Sequence, residues 1–420
     1  MSSAVSSRRG YRGRILTPHG HAGELQFFAD GLLVVEDGRI ASVGPFAPDA
    51  AGHALLDLRP AVLLPGFVDA HLHFPQARVI GSATGPLLEW LEHTVFPEEA
   101  RFRDEAYARA VAAELVARLL AVGTTTSAIF SSSSEVATSV LFEALDAAGL
   151  RAFVGLTLMD QACPDAVRVP ANEALAACER LVARWHGHDR GRLAFAVTPR
   201  FALSCSRPLM EGAARLASDH QLLIQTHIAE NAAEGEAVLA QHPWGGDYLG
   251  IYEKTGLVGP RTLLAHAIHL SPSEWDRAAS LGAAVAHCPD SNFFLGSGRM
   301  RLAEATSRGV RVGLGSDIAA GRSLDLRRAM AHGYDNALAI GAGVTAARLL
   351  TLATLGGAEA LGLGAETGSL EPGKAADFIA MSLPEHATTE AAILGQLAFG
   401  DSGRVERVFV RGERVFTSPP

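Results

Sequence analysis

Histidine and carboxylate side chains in this chain follow short apolar segments, where they could bind a metal ion together. His71 and His73 end one such segment, and His227 and Asp317 end two others. On a β-strand, residues i and i+2 point to the same face, so His71 and His73 can share one ligand site. Three imidazoles and one carboxylate suit zinc or another borderline divalent metal, with an open position for water. The alternative is a pair of hydrogen-bonded core histidines.

The scarcity of lysine bears on the number of metal ions. The chain has two lysines, Lys254 and Lys374, and only Lys254 falls within the stretch that carries the candidate ligands. Because two-metal sites of this kind often use a modified lysine as a bridge, a single metal ion is favoured, although a cysteine or carboxylate bridge is not excluded. Two further H-x-H pairs lie in polar, loop-like contexts and are expected not to bind metal: His19 with His21, and His186 with His188.

Two other polar residues follow the same kind of segment and suit proton transfer. Glu230 comes three residues after His227, which places a carboxylate near the expected metal without making it a ligand. We interpret Glu230 as a proton shuttle rather than as the acidic first-turn residue of the next helix. His266 ends another apolar segment and can orient the attacking water or the developing oxyanion, the alternative being a packing role. Asp69 is expected to support its strand end.

The segments that carry these residues alternate regularly with helical stretches. Eight apolar segments are expected to be strands: 65–69, 122–130, 152–158, 193–197, 222–226, 262–265, 283–286 and 310–315. Helical patterns follow them, for example at 107–121, 172–186, 208–219 and 324–340. Eight βα units over roughly 300 residues match an α/β fold of the closed (β/α)8, or TIM, barrel type. Active sites of such barrels lie at the carboxyl ends of the strands, where the candidate ligands fall.

Both ends of the chain are rich in β-strand patterns. Residues 11–64 contain short strands around the hairpin signal Asp37-Gly38, and residues 404–416 alternate Val and Phe with charged residues. Two such ends can form one small sheet domain together. The expected domains are a barrel of residues 65–365 and a terminal domain of residues 1–64 with 366–420.

Composition and charge exclude several classes of protein. The net charge of −9 leaves no basic excess to neutralise phosphates, so we expect no nucleic-acid partner and no anionic membrane surface. The four cysteines form no C-x-x-C motif, and a chain of this length needs no disulfides, which favours a reducing cytosol. No apolar region follows the arginines near the start, and no apolar stretch reaches 18 residues. We therefore expect a soluble cytoplasmic protein.

Several well-known functional motifs are incomplete or absent in the sequence. Gly368–Lys374 fits G-x-x-x-x-G-K, but Ala375 stands where a phosphate-binding loop needs Ser or Thr, so a turn is expected. No G-x-G-x-x-G follows a strand, and no G-x-S-x-G is present. The missing C-x-x-C excludes the zinc deaminases whose ligands include a P-C-x-x-C motif.

Four segments of the chain resemble the amidohydrolase superfamily, in its deaminase and chlorohydrolase branch: Pro65–His73, Thr226–Glu230, His287–Asn292 and Gly313–Asp317. The two β-rich ends then resemble the small composite β-sandwich domain of that family. The resemblance implies one metal ion, held by His71, His73, His227 and Asp317. Zinc is the expected ion, with iron or manganese as alternatives, and a homodimer is implied as well.

A narrower likeness, to members of that branch that deaminate purine bases, rests on further segments: Phe74–Gln76, Gly85–Leu91, Thr94–Glu99, Thr198–Ser206 and Leu264–Ser271. It implies guanine as the substrate and names the residues expected to contact it: Gln76, Trp90, Arg200, Phe201, Glu230 and His266. The donor fork of Arg200 suits the O6 and N7 acceptors of guanine. Gln76 can donate and accept at once, and Phe201 can stack on the ring.

The implied reaction is hydrolytic deamination at C2, giving xanthine and ammonia. Zinc lowers the pKa of a water molecule, and Asp317 helps to take the water proton. Glu230 protonates the adjacent ring nitrogen and later the amino group, while His266 stabilises the tetrahedral centre. Two alternatives remain at this point: a related deaminase of 8-oxoguanine, a pterin, a triazine or an adenosine-type substrate, or an inactive relative that serves as a scaffold.

Overall fold

The computed structural model of the protein describes residues 8–20, 23–50, 54–82 and 85–419. Within these ranges the strands, in chain order, are β1 (Arg9–Pro18), β2 (Leu25–Glu36), β3 (Arg39–Pro45), β4 (Leu55–Pro65), β5 (Phe67–His73), β6 (Thr124–Phe130), β7 (Arg151–Gly155), β8 (Thr157–Leu158), β9 (Leu193–Pro199), β10 (Leu223–Ile228), β11 (Thr262–His266), β12 (Ala284–His287), β13 (Arg311–Leu314), β14 (Phe378–Ser382), β15 (Arg404–Val410) and β16 (Glu413–Thr417).

The helices of the same ranges are α1 (Leu87–Trp90), α2 (Phe96–Ala100), α3 (Glu105–Ala121), α4 (Glu135–Ala147), α5 (Ala171–Trp185), α6 (His188–Gly191), α7 (Arg207–His220), α8 (Ala232–Gln241), α9 (Tyr248–Thr255), α10 (Pro272–Ser280), α11 (Pro289–Phe294), α12 (Leu302–Ser307), α13 (Leu326–Ala339), α14 (Ala346–Thr351), α15 (Gly357–Ala360) and α16 (Glu390–Phe399). A π-helical turn at Leu91–Val95 joins α1 to α2, and another at Leu352–Gly356 joins α14 to α15.

Eight parallel strands form the central barrel, in the order β5-β6-β7-β9-β10-β11-β12-β13, and the short β8 pairs with β9. Each of the eight overlaps one of the segments expected from the sequence, and the four helices expected at 107–121, 172–186, 208–219 and 324–340 are present as α3, α5, α7 and α13. The TIM-barrel prediction is confirmed. Small residues dominate the interior of the barrel, where Ala70, Ala128, Ala196 and Ala284 pack together.

The first and last barrel strands, β5 and β13, meet through close backbone contact. A Cβ on Gly315 would lie 2.8 Å from the Cβ of His71, so only glycine permits this approach. The Asp317 backbone N–H donates to the His71 carbonyl at 2.9 Å, and the Ser316 N–H donates to Oδ1 of Asp69 at 2.9 Å. Asp69 therefore acts as the strand-end support that the sequence led us to expect.

An irregularity in β5 determines which side chains face the barrel interior. The first half of the strand points Val68 and Ala70 inward and Phe67 outward. The pairing register with β6 shifts between Asp69 and Leu72, and Leu72 then packs outward. Because side chains alternate along a strand, this shift changes the inward set from even to odd positions. His71 and His73 consequently face the interior.

The two ends of the chain form one seven-stranded sheet, in the order β16-β15-β14-β4-β1-β2-β3. Asp37 and Gly38 both have positive φ, of 50° and 79°, and close the hairpin between β2 and β3 as expected. This sheet has its own core, where Tyr11 packs edge-on against Phe378 and Phe409. The composite terminal sheet is confirmed, while the domain limits at residues 64 and 366 stay a prediction.

None of the four cysteines of the chain forms a disulfide bond. Cys163, Cys178, Cys205 and Cys288 are all free thiols, and three of them are buried. Among the described residues, every helix is too short or too polar to cross a lipid bilayer.

A buried ion pair joins the barrel to the terminal sheet. Arg151 at the start of β7 donates from Nη2 and Nε to Oδ2 of Asp377, at 3.1 and 3.2 Å. The other oxygen, Oδ1, accepts the Arg411 backbone N–H at 2.8 Å. Arg151 and Asp377 are both nearly inaccessible to solvent, so each needs the other to offset its desolvation.

We predict that Asp377→Ala lowers the free energy of unfolding by about 3–5 kcal/mol, because the mutation leaves the Arg151 charge buried without its main partner. Urea unfolding followed by circular dichroism measures the change. Asp57→Ala is the control, since Asp57 pairs with Arg59 on the exposed surface and the unfolding midpoint should not change. Equal effects of the two mutations would contradict the importance of the buried pair.

Candidate active site

The four residues expected to bind metal meet at the carboxyl end of the barrel. Nε2 of His73 lies 3.1 Å from Nε2 of His227. Oδ1 of Asp317 lies 3.2 Å from Nε2 of His71 and 3.3 Å from Nε2 of His73. All four side chains are buried. Residues that are up to 246 positions apart in the chain are thus brought together. Ring nitrogens of His71, His73 and His227 lie within 4.8 Å of one another, and Asp317 joins this group through its contacts with His71 and His73.

The hydrogen bonds of this cluster fit a divalent cation. Nδ1 of His227 donates to the Arg200 carbonyl at 2.6 Å, which leaves the lone pair on Nε2 for a ligand. Neither ring nitrogen of His71 forms a hydrogen bond within the described residues, although the ring is fully buried. Unpaired buried nitrogens of this kind are costly unless a further group binds them. A metal ion at their meeting point would satisfy them.

The protonation states of the cluster also fit metal binding. Burial lowers the pKa of His73 to about 3 and that of His227 well below its ordinary value, so both rings are neutral. Burial alone would raise the pKa of Asp317, but the contacts from His71 and His73 lower it well below its usual range. Neutral imidazoles and an ionised carboxylate are the forms that bind divalent metals.

Cys288 is a neighbour of the cluster that the sequence did not mark as a ligand. Its sulfur lies within 4.8 Å of candidate ligand atoms of His71, His266 and Asp317. Burial raises the pKa of the thiol well above its ordinary value, with the carboxylates of Asp317 and Asp69 adding to the shift. In the sequence, this location is indicated by the fact that Cys288 directly follows the segment that forms β12.

Glu230 and His266 lie together beside the cluster. Nε2 of His266 is 3.5 Å from Oε2 of Glu230 and 3.7 Å from Oδ2 of Asp317. Burial raises the pKa of Glu230 to about 7. Burial alone would lower the pKa of His266, but the Glu230 and Asp317 carboxylates raise it above its ordinary value. Nδ1 of His266 contacts Oδ1 of Asn292 at 2.9 Å, which fixes the ring.

Three of the strand ends at this face carry residues in the left-handed conformation. The φ angles are 47° at Ala229, 71° at His266 and 47° at Asp317. Residues other than glycine rarely adopt these angles, and such strain is concentrated at functional sites. Here it turns the chain sharply at the point where Glu230, His266 and Asp317 must face one another.

A cavity opens above these groups. All six residues expected to contact the substrate line it: Gln76, Trp90, Arg200, Phe201, Glu230 and His266. The cavity also has apolar walls that the sequence did not identify, formed by Leu87, Leu91, Leu295 and Ala320. A concave site in which polar groups converge beside apolar walls is typical of small-molecule binding.

Arg200 and Gln76 form the polar edge of the cavity. Nη1 of Arg200 donates to both oxygens of Glu99, at 2.8 Å each. Nε2 of Gln76 is 3.5 Å from Oε1 of the same carboxylate. The sequence placed Arg200 and Gln76 here but gave Glu99 no role. Its adjacent neighbour Glu98 offered an equal candidate, and nothing in the sequence distinguished the two.

Residues 62–415 match the sequence profile of the amidohydrolase family. The chain belongs to this family. It is 39% identical to a probable guanine deaminase of Deinococcus radiodurans, with 97% of this chain and 98% of that protein covered. It also superposes on a crystal structure of guanine deaminase from C. acetobutylicum with bound guanine in the active site, with a TM-score of 0.93 and 30% identity over 98% of this chain and 100% of that one.

A more distant structural neighbour is an adenosine deaminase from Xanthomonas campestris with bound zinc. Its TM-score is 0.84 at 27% identity, over 96% of this chain and 92% of that one.

We predict that the purified protein contains about one equivalent of divalent metal and that His73→Ala removes most of it, because the mutation deletes one of four ligands. Inductively coupled plasma mass spectrometry measures the metal content. His188→Ala is the control, since His188 belongs to another H-x-H pair and contacts Asp146 on the surface. Metal content that survives His73→Ala, or is lost equally in the control, would contradict the ligand assignment.

Proposed function

We propose that this protein is a guanine deaminase, which hydrolyses guanine to xanthine and ammonia. One observation carries the proposal: a single cavity combines the metal-ligand cluster, the Glu230–His266 pair and the polar edge formed by Arg200 and Gln76. The pair, together with a metal ion bound by the cluster, would supply hydrolysis, and the polar edge would supply recognition of a purine. The similarity to guanine deaminases over nearly the whole chain supports the same substrate.

We propose zinc as the resident metal, with iron or manganese as alternatives, bound by His71, His73, His227 and Asp317. The chemistry of the donor set supports zinc, since three imidazoles and one carboxylate with an open position suit this ion. The zinc bound to the adenosine deaminase neighbour is a second support. Such an ion, when bound, lowers the pKa of a water molecule and polarises the reacting group.

The protein residues then divide the proton transfers between them. The buried Asp317 carboxylate takes a proton from the water that attacks C2 of guanine. Glu230, whose raised pKa of about 7 allows it to carry a proton near neutral pH, gives its proton to the adjacent ring nitrogen. It then takes the proton of the hydroxyl group added at C2 and passes it to the leaving amino group. The proton held by Asp317 returns to Glu230 and restores both carboxyl groups. The C2–N bond breaks as ammonia leaves. His266, held by Asn292, stabilises the tetrahedral centre by hydrogen bonding.

Substrate binding is proposed to involve the polar edge and the aromatic walls. Arg200 donates to the O6 side of guanine, where a guanidinium meets acceptor atoms. Gln76 contacts a neighbouring position of the ring edge. Phe201 and Trp90 line the cavity with aromatic rings that can pack on the purine face.

The first experiment is a substrate panel on the zinc-loaded protein. Guanine is compared with 8-oxoguanine, adenosine, a pterin and melamine by absorbance and by ammonia release. Selective conversion of guanine to xanthine is the expected result. Conversion of another ring with guanine inert would replace the substrate proposal, and no activity with metal bound would favour the scaffold alternative.

We predict that Glu230→Gln reduces turnover of guanine by about 10²–10⁴-fold while the metal remains bound, because the mutation removes a proton carrier but no ligand. Steady-state kinetics and metal analysis on the same sample measure both quantities. Glu236→Gln is the matched control, since Glu236 is an exposed residue of the following helix α8. Normal turnover by Glu230→Gln would exclude it as the proton shuttle.

We further propose a cytoplasmic homodimer without nucleic-acid or membrane partners. The free thiols support a reducing compartment, and the net charge of −9 opposes binding to phosphates. Sedimentation equilibrium tests the oligomeric state.

A further inference from the structure

Glu99 lies directly behind the polar edge of the cavity. It belongs to α2 and is only 3% exposed. Both of its oxygens accept from Nη1 of Arg200, and Oε1 faces Nε2 of Gln76. Gln76 and Arg200 line the cavity itself. Glu99 therefore acts on whatever occupies the cavity through two other side chains.

The π-helical turn before α2 brings this residue into place. In an uninterrupted α-helix, Glu98 would lie about three full turns after Leu87 and would share its face. Leu87 lines the cavity, so the sequence pattern alone would direct Glu98 toward it. The wider turn at Leu91–Val95 rotates α2 about the helix axis and presents Glu99 instead. Glu98 contacts Arg101 and Tyr107 on the other side.

The carboxylate restricts how both of its partners face the cavity. An ionised carboxylate can only accept hydrogen bonds, so Gln76 must turn its amino group toward Glu99 and its carbonyl away. Arg200 uses Nη1 for Glu99, and all of its side-chain hydrogen bonds among the described residues start from that nitrogen. The remaining guanidinium donors are left for a ligand. The edge thus presents donors at Arg200 and an acceptor at Gln76.

We propose that Glu99 is a positioning residue that sets this donor–acceptor polarity and thereby selects 6-oxopurines over 6-aminopurines. The inference deepens the proposed function and rests on it. A 6-oxopurine has an acceptor at O6 and a donor at the neighbouring N1–H, which matches the edge. A 6-aminopurine has the reverse arrangement, with a donor amino group and an acceptor N1, so its polar groups would be left unpaired.

A purely structural ion pair is the competing explanation for Glu99. Removing either partner of a buried pair destabilises a protein whatever the pair does for ligands. A structural role predicts weaker binding of all purines alike, whereas a positioning role predicts a change in the ratio between 6-oxo and 6-amino ligands. The ratio is therefore the decisive quantity.

The experiment measures binding of hypoxanthine and adenine by isothermal titration calorimetry on the metal-loaded protein. Both ligands lack the 2-amino group, so the measurement does not depend on turnover. The unmodified protein is expected to prefer hypoxanthine. In Glu99→Gln the neutral amide can donate as well as accept, so Gln76 is free to turn, and the preference should fall at least about tenfold. An unchanged preference with both affinities reduced equally overturns the proposal.

Glu98→Gln is the matched control, because it makes the same chemical change at the neighbouring residue of α2, which is also buried. It should keep the full preference for hypoxanthine, and a fall equal to that of Glu99→Gln overturns the proposal. Melting temperatures show whether each variant folds. If Glu99→Gln does not fold, Glu99→Asp is used instead, because it keeps the charge but shortens the side chain by one methylene. The preference of Glu99→Asp for hypoxanthine should fall severalfold. An unchanged preference overturns the proposal.

The same samples separate this inference from the proposed function. If the unmodified protein prefers hypoxanthine but does not convert guanine, the deaminase proposal fails while the polarity of the edge stands. If it converts guanine and Glu99→Gln keeps the full hypoxanthine preference, the positioning role fails while the deaminase proposal stands.

Discussion

Closure of the barrel between β5 and β13 is the constraint on which the site depends. The candidate metal-ligand cluster takes two residues from the first strand, one from β10 and one from the segment after the last strand, so it forms only where these ends meet. Gly315 allows the backbones to approach, and the Asp69 carboxylate fixes them by accepting from Ser316. The carboxylate of Asp317 then lies beside the imidazoles of β5. A small shift at this junction would separate the ligands.

The same closure explains why the site contains so many buried polar groups. Each ligand side chain has lost its contact with water, which would be costly without compensation. Two kinds of interaction compensate for this loss. Hydrogen bonds, such as that from His227 to the Arg200 carbonyl, keep the rings in the tautomer that can bind a metal ion. The neutral rings also lie close to the negative charge of Asp317. Arg200 therefore contributes its backbone to the metal site and its side chain to the cavity.

Much of the fold and most of the site could be predicted from the sequence, for identifiable reasons. Apolar segments alternating with helical ones define eight βα units, and polar residues at strand ends fall on the active face of any such barrel. His71, His73, His227 and Asp317 were therefore recognisable as a group. Their convergence follows from topology and does not require knowledge of the detailed geometry.

The parts that could not be predicted depend on local departures from regular structure. The register shift in β5 decides that His71 and His73 face inward, although strand alternation from Val68 would turn them outward. The π turn decides that Glu99 rather than Glu98 reaches Arg200. Both are single-residue effects set by tertiary packing, and the regular periodicity of strands and helices does not predict them.

The composite sheet has a consequence for synthesis on the ribosome. Strand β4 pairs with β1 on one side and with β14 on the other, and more than 300 residues separate the two partners of that second edge. During translation β1 to β4 are made first, and one edge of β4 stays unpaired until more than 300 further residues have been added and β14 is complete. An exposed strand edge of this kind can pair with other nascent chains. The sheet therefore cannot form fully before β14 is synthesised, and products truncated before β14 would retain an exposed strand edge.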